Sequence, residues 1–170
     1  MGIRIMATGS EIKGIIPDEA LEVCARQIIV SYFHEMLSYK KGAKEGTDIE
    51  FVHDMRVTSR RLRAAMDNFA DCFPKRPFKK HYKKVKAITR TMGAVRDLDV
   101  LIVRFETELV NLTEGERSDI REVIEHLQRK RKDAREPMLM LFEELEETGF
   151  ETEFLEFFAD RQSTLPNCKV

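Results

Sequence analysis

Apolar residues recur at intervals of three or four positions along most of the chain, and this spacing predicts amphipathic α-helices. The clearest stripe consists of Phe78, Tyr82, Val85, Ile88, Met92 and Val95. Runs of β-branched residues are short and no alternation of apolar and polar residues persists, so strands are not indicated. The pattern therefore predicts an all-α protein, an antiparallel bundle of about five to six helices with short connections.

Polar segments that contain glycine or proline separate the predicted helices. A first helix follows Pro17 and Asp18, and the segment KKGAKEGTD at 40–48 is predicted to be a loop. A second helix runs from about residue 49 to residue 73 and ends before Pro74, because proline is poorly tolerated inside a helix.

The second half of the chain contains the remaining predicted helices. A third helix follows PKRP at 74–77, and a fourth covers LDVLIVRFETEL at 98–109. A fifth helix runs from about residue 116 to residue 147, and Pro137 within it predicts a kink or a break. A short last helix covers FETEFLEFFAD at 150–160.

The length and composition fit a single charge-rich helical domain. A chain of 170 residues is long enough to bury one substantial core. We expect the domain to span residues 12–160, with flexible termini at 1–11 and 161–170. With 42% hydrophobic and 35% charged residues, the chain is typical of a soluble protein. No run has the length of a membrane span, and the first residues lack the continuous apolar region of a signal peptide.

The cysteines are few and far apart. Cys24, Cys72 and Cys168 form no C-x-x-C motif, and their number is odd. Free thiols in a reducing cytoplasm are the simplest interpretation. We therefore expect a cytoplasmic protein that binds no membrane.

A net charge of −1 conceals two blocks of opposite sign. Basic residues dominate from His53 to Arg96, where only Asp54, Asp67 and Asp71 oppose them. From Glu136 to Asp160 the charged residues are all acidic. When charges are separated into blocks along the chain, the blocks say more about binding partners than the net charge does.

The second predicted helix separates its cations from its apolar residues. At about 100° per residue, His53, Arg56, Arg60 and Arg63 fall within an arc of about 80°. The apolar residues Met55, Leu62, Met66 and Phe69 occupy a different arc, roughly 140° away. A solvated face held by acidic residues of neighbouring helices is the alternative, but the helix itself has almost no glutamate at i+4 to relieve the repulsion.

The third predicted helix repeats this arrangement. Lys79, Lys83, Lys86 and Arg90 share an arc of about 60°, with Arg76 and Lys80 beside it. Two such rows, joined by a short turn, would form a continuous positive surface that attracts a polyanion. The cationic arcs contain no phenylalanine, tyrosine or tryptophan to stack on bases, and no asparagine or glutamine to read base edges. Phosphate is therefore favoured over a nucleic acid.

Two carboxylates, Asp97 and Asp99, lie in the sequence RDLD. They could ligate Mg²⁺ or Ca²⁺, since both ions prefer oxygen ligands. Alternatively, one of them caps the fourth predicted helix and both neutralise arginines of the second. We favour the structural role, because no further carboxylate or histidine lies at ligand spacing. No phosphate-binding glycine loop or nucleophile elbow is present, so we expect no cofactor, no metal and no catalysis.

The segments VHDMRVTSRRLRAAMDNF and MGAVRDLDVL, in that order, resemble the CHAD family, the conserved-histidine α-helical domain. The resemblance implies a helical polyphosphate-binding module that occurs beside triphosphate-tunnel enzymes and on polyphosphate granules. It assigns phosphate contacts to the second predicted helix, at His53, Arg56, Arg60, Arg61 and Arg63. Charge alone adds the lysines of the third helix, and less directly the segment RKRKDAR at 129–135.

One departure from the family concerns its length. Members contain two similar bundles, each with a histidine- and arginine-rich helix, whereas no second copy of the motif follows residue 101 here. A half-length chain would act either as one bundle or as a twofold-symmetric homodimer, which we favour. The acidic residues 136–160 would then face outward or cover basic residues.

We therefore expect non-catalytic binding of inorganic polyphosphate, with a homodimer, and with a triphosphate-tunnel enzyme as a candidate partner. The alternatives are a nucleic-acid-binding module and, less favoured, a metal-dependent phosphohydrolase that uses Asp97, Asp99 and a histidine.

Overall fold

The structure, a computed structural model, describes residues 20–159, and this part of the chain is helical with no strand. Its α-helices are α1 (Leu21–Ser38), α2 (Lys40–Glu45), α3 (Glu50–Asn68), α4 (Lys75–Glu108), α5 (Glu114–Glu147) and α6 (Phe150–Ala159). Single 3₁₀ turns at Ala70–Cys72 and Leu109–Asn111 lead out of α3 and α4. The prediction of an all-α bundle is confirmed. The predicted flexible termini and Cys168 lie outside the described residues.

The predicted third and fourth helices form one continuous helix, α4, so the prediction of two helices is wrong. Gly93 does not interrupt it, because a glycine costs a helix only about 1 kcal/mol and the buried stripe continues past it to Val95 and Ile102. A Cβ at Gly93 would stand 3.5 Å from Nε of Arg56, an ordinary contact distance, so Arg56 of α3 lies against α4 at this point. Asp97 is therefore in mid-helix and cannot cap a helix.

The predicted fifth helix is also unbroken. The helix α5 continues through Pro137, so the predicted break is absent. It begins at a capping box, in which Oε2 of Glu116 accepts a hydrogen bond from the backbone N–H of Thr113 at 3.0 Å. Hydrogen bonds from Thr113 lower the pKa of Glu116.

The segment predicted to be a loop at 40–48 contains the short helix α2. Gly42 is buried, and a side chain there would overlap the ring of Phe51, so glycine permits the close packing of α2 on α3. Gly46 ends the helix with φ of 73°, a conformation that favours glycine. Arg135 of α5 donates hydrogen bonds to the carbonyls of Ala43 at 3.3 Å and Lys44 at 2.9 Å, which satisfies the end of α2.

The core lies between α1, α3, α4, α5 and the aromatic helix α6. The ring of Phe154 stacks on that of Phe33, with 3.8 Å between ring centroids, and both side chains are fully buried. Arg26 of α1 donates a hydrogen bond of 2.7 Å to the carbonyl of Phe158, at the end of α6. The predicted buried arc of α3 is confirmed at Met55, Leu62 and Met66, while Phe69 is half-buried.

The expectation of free thiols holds for Cys24 and is wrong for Cys72, which is disulfide-bonded. Cys72 lies in the turn after α3, and sequence spacing alone does not show which sulfur atoms meet. None of the helices within residues 20–159 combines the length and the apolar character that crossing a membrane requires.

One buried histidine makes the stability of the fold dependent on pH. His81 of α4 is only 5% exposed, and its ring lies 4.9 Å from that of Phe157. Burial lowers the pKa of His81 and nearby Lys80 lowers it further, while Glu153 opposes the change. Below about pH 6.5 the unfolded chain therefore binds a proton that the folded chain does not bind, and stability falls as the pH falls.

We expect the protein to lose up to about 1.4 kcal/mol of unfolding free energy through His81 between about pH 7.5 and pH 5.5. Urea denaturation of the wild type and of His81→Phe at both pH values isolates this loss, because the variant retains every other titrating group. The exposed His126, replaced by glutamine, is the control and should keep the wild-type dependence. Equal pH dependence in wild type and His81→Phe would refute the assignment.

Candidate functional site

The predicted cationic helices pack side by side and antiparallel. Glu50, at the start of α3, lies 3.2 Å from Nη1 of Arg96, late in α4. Near the other end of α3, Arg63 reaches Tyr82, early in α4. Burial and a hydrogen bond with Asp67 raise the pKa of Tyr82, and Arg63 opposes the rise. These contacts define a shared α3–α4 surface.

Several exposed cations near this surface make no hydrogen bond or ion pair with any of residues 20–159, including Lys75 and Arg76 in the first turn of α4. We call five of them the cation row, which consists of Arg60, Lys79, Lys83, Lys86 and Arg90. The four on α4 occupy an arc of about 60° on the solvent side of the helix, next to Tyr82 and Gly93, which lie toward α3. Arg60 lies between the two contacts of α3 with α4, opposite the stretch that carries Lys86 and Arg90. The row is thus contributed by two helices.

The lysines on the opposite flank of α4 are paired. Nζ of Lys80 lies 2.8 Å from Glu153, and Nζ of Lys84 lies 2.9 Å from Glu144. The acidic residues that follow Glu136, which we call the acidic segment, therefore pair with this flank. Within the described part of the chain they leave the cation row uncovered. Lys80 was grouped with the row by sequence, but it faces α6 instead.

A third acidic residue of the segment contacts α2. Glu146 binds Lys40 at 2.8 Å and Lys44 at 3.1 Å, and these lysines lower the pKa of its carboxyl group. Hydrogen bonding to Lys80 lowers the pKa of Glu153 in the same way. The glutamates Glu144, Glu146 and Glu153 thus pair with lysines of α2 and α4, which is one of the two arrangements expected for the acidic residues.

The predicted cations of α3 have different surroundings. Nη2 of Arg56 lies 3.7 Å from Asp97, and Nη1 of Arg61 lies 3.8 Å from Glu35 of α1. His53 is half-buried. Arg61 thus points to the opposite side from the cation row, whereas Arg56 and Arg63 border the row where α3 meets α4.

The two carboxylates of RDLD differ sharply in burial. Asp97 has 73% of its side chain exposed beside Arg56, as the structural interpretation predicted. Asp99 is 1% exposed and accepts a hydrogen bond from Nε of Arg131, a residue of α5 and not of α3. Within residues 20–159, no group of three or more His, Cys, Asp or Glu side chains is arranged to hold a metal ion.

The basic residues of the segment at 129–135 also fall into two groups, those paired within the fold and those exposed to solvent. Arg131 pairs with Asp99, and Arg135 binds the end of α2, so both are used by the fold. Burial lowers the pKa of Arg135, and the neighbouring charge of Arg131 adds to this effect. Arg129, Lys130 and Lys132 are exposed. Charge counting does not separate these residues, but a helical wheel does. Arg131 and Arg135 share an arc of about 60° with the buried residues Ile124 and Met138.

Comparison with known protein families yields a match over most of the chain. The family model of the CHAD domain matches residues 27–168. Curated proteins and solved structures yield no significant match. Because the family match spans most of the chain and includes both quoted motifs, the resemblance is confirmed, and the chain belongs to the CHAD family.

Proposed function

We propose that this chain binds inorganic polyphosphate, without chemical conversion, on the cation row and the adjoining Arg56, Arg63 and His53. The observation that carries the proposal is the contrast between the two flanks of α4. Lys80 and Lys84 have carboxylate partners, whereas the row has none among the described residues. Uncompensated cations repel one another, so a ligand that supplies negative charge relieves this repulsion.

The shape of the row favours a linear polymer over a single phosphate. From Lys79 to Arg90 the row extends about 16 Å along α4, at 1.5 Å per residue. A phosphate chain that follows it would release bound counterions at each contact, which gives an affinity that decreases steeply with salt. Arginine adds paired N–H donors that match phosphate oxygens, and lysine adds point charge.

The surroundings of the row favour polyphosphate over single-stranded nucleic acid. Proteins that bind single strands present aromatic rings on which bases stack. The nearest ring is that of Tyr82, which is half-buried, packs beside Phe78 with 6.2 Å between centroids, and contacts Arg63 and Asp67. The ring of Tyr82 therefore packs within the protein and is not open for a base to stack on. Association with polyphosphate granules and with a triphosphate-tunnel enzyme are proposals that depend on this ligand.

The test is a competition experiment with fluorescent polyphosphate bound to the full chain. We expect unlabelled polyphosphate to displace the probe at a phosphate concentration at least about tenfold below that needed for single-stranded RNA, since stacking adds nothing here. Incubation with Mg²⁺ should release no inorganic phosphate. Equal competition by RNA would replace polyphosphate with nucleic acid as the ligand, and Mg²⁺-dependent phosphate release would contradict a purely binding role.

A further inference from the structure

The helices α4 and α5 leave one long face uncovered by the other described helices. Near its middle, this face contains an open groove of about 700 Å³. Its floor and walls are mainly apolar, and they include Ala87, Ala94, Ala134, Pro137, Met140 and Leu141. Met140 stands at its edge with 68% of its surface exposed. Apolar side chains that are open to solvent on such a face mark a surface suited to contact with another protein.

The same face continues toward the connection between the two helices. Leu98, Leu101 and Phe105 of α4 lie on the arc of Ala87 and Ala94, and Leu101 is 40% exposed. Val123 of α5, 39% exposed, and Leu127 extend the arc of Ala134 and Leu141. We call this continuous apolar strip the outer face.

The charges on α5 indicate what covers the outer face. Asp119 and Glu122 precede the apolar pair of Val123 and Leu127, and Arg129 and Lys130 follow it. These four charged residues are exposed and have no ion-pair partner within residues 20–159. When a second copy of α5 runs antiparallel to the first, its basic residues lie opposite the acidic residues of the first copy. The apolar residues of the two copies then lie opposite each other.

We propose that the outer face binds a second copy of this chain, with α5 antiparallel to the partner's helix and a twofold axis between Val123 and Leu127. Reversal about that axis sets Asp119 of one copy against Lys130 of the other, and this contact occurs twice. A twofold interface must be self-complementary, and this arrangement satisfies that requirement. An anionic membrane or a nucleic acid would be matched by a face on which the charged residues are all basic, because both carry negative charge.

The face is large enough for a stable dimer. With the axis between Val123 and Leu127, the two copies of α5 overlap from residue 114 to about residue 136, a length of about 34 Å. A face two helices wide, about 20 Å, then gives about 680 Å² from each copy, and stable interfaces bury about 600–1,000 Å² from each partner. The inference does not rest on the identity of the ligand, because most of the cation row lies on another flank of α4; only Arg90 also borders the groove.

The test is light scattering of the full chain without polyphosphate, so that no polymer bridges two copies. At about 100 µM, where a dimer with a dissociation constant near 1 µM is almost fully formed, we expect twice the mass of one chain. A dilution series from about 100 µM to about 1 µM gives the dissociation constant, and Asp119→Lys and Lys130→Asp should each raise it about tenfold or more, since each sets like charges together twice. The exposed Lys132, on another flank of α5, is the control, and Lys132→Asp should remain dimeric.

Mixing distinguishes a specific interface from a folding defect. An equimolar mixture of Asp119→Lys and Lys130→Asp restores opposite charges at both contacts, so we expect it to recover the mass of a dimer. The double variant should also dimerise alone. A monomeric wild type, single variants that associate like the wild type, or a mixture that stays monomeric would each overturn the proposal.

Discussion

Replacing Arg60, Lys86 and Arg90 together by glutamine is expected to weaken polyphosphate binding about 100-fold at about 0.1 M salt. Each lost contact with a single phosphate chain forfeits about 0.7 of a released counterion, a factor of about 5 at this salt concentration. The three side chains are exposed, so the fold should tolerate the change. Calorimetric titration with polyphosphate measures the loss directly.

The chain supplies a control with the same change in net charge. Lys44, Lys80 and Lys84 are also lysines of α2 and α4, but each has a carboxylate partner at 3.1 Å or less. Their triple replacement by glutamine should change the affinity by less than about tenfold, because no free phosphate-binding cation is removed. Equal weakening by the two triple variants would show that overall charge, and not the cation row, governs binding.

Truncation of Asp99 to alanine is expected to lower the free energy of unfolding by about 3 kcal/mol. The carboxylate is 1% exposed and is hydrogen-bonded to Arg131, so its removal leaves a largely buried guanidinium without its partner. Urea denaturation, monitored by circular dichroism, measures the change. The paired replacement Asp99→Leu with Arg131→Met should recover most of the loss, since apolar side chains of similar size can replace a buried ion pair.

The neighbouring carboxylate of the same motif is the matched control. Asp97 is 73% exposed and 3.7 Å from Arg56, a geometry in which an ion pair contributes about 0–1 kcal/mol. We therefore expect Asp97→Ala to be nearly neutral for stability. A cost for Asp97→Ala equal to that for Asp99→Ala would refute the structural assignment of the two residues.

The features that sequence predicted well are those that depend on a single helix. The 3.6-residue period fixes which side chains share a face, so the separation of Arg60 from Leu62 on α3 and the common arc of Lys79 and Arg90 on α4 follow directly. The all-α class follows from the same period.

Apart from the continuity of α4 past Gly93 and of α5 past Pro137, the features that sequence missed depend on contacts between helices. Lys79 and Lys80 are neighbours in the chain, but only Lys80 meets a glutamate, 73 residues away. The pairing of Asp99 with Arg131 joins α4 to α5 across 32 residues. The helix α2 exists because Gly42 packs on Phe51 and Arg135 binds its end, and neither contact has a local signature.

The most direct test of polyphosphate binding by the cation row is the salt dependence of the affinity. The five cations of the row with Arg56 and Arg63 make seven contacts, and at about 0.7 counterion each they predict a slope of about −4.9 for log affinity against log salt in the wild type. The variant of Arg60, Lys86 and Arg90 should show a slope of about −2.8, and the control of Lys44, Lys80 and Lys84 should keep the wild-type slope. A wild-type affinity that is independent of salt, or equal slopes in wild type and row variant, would contradict the account.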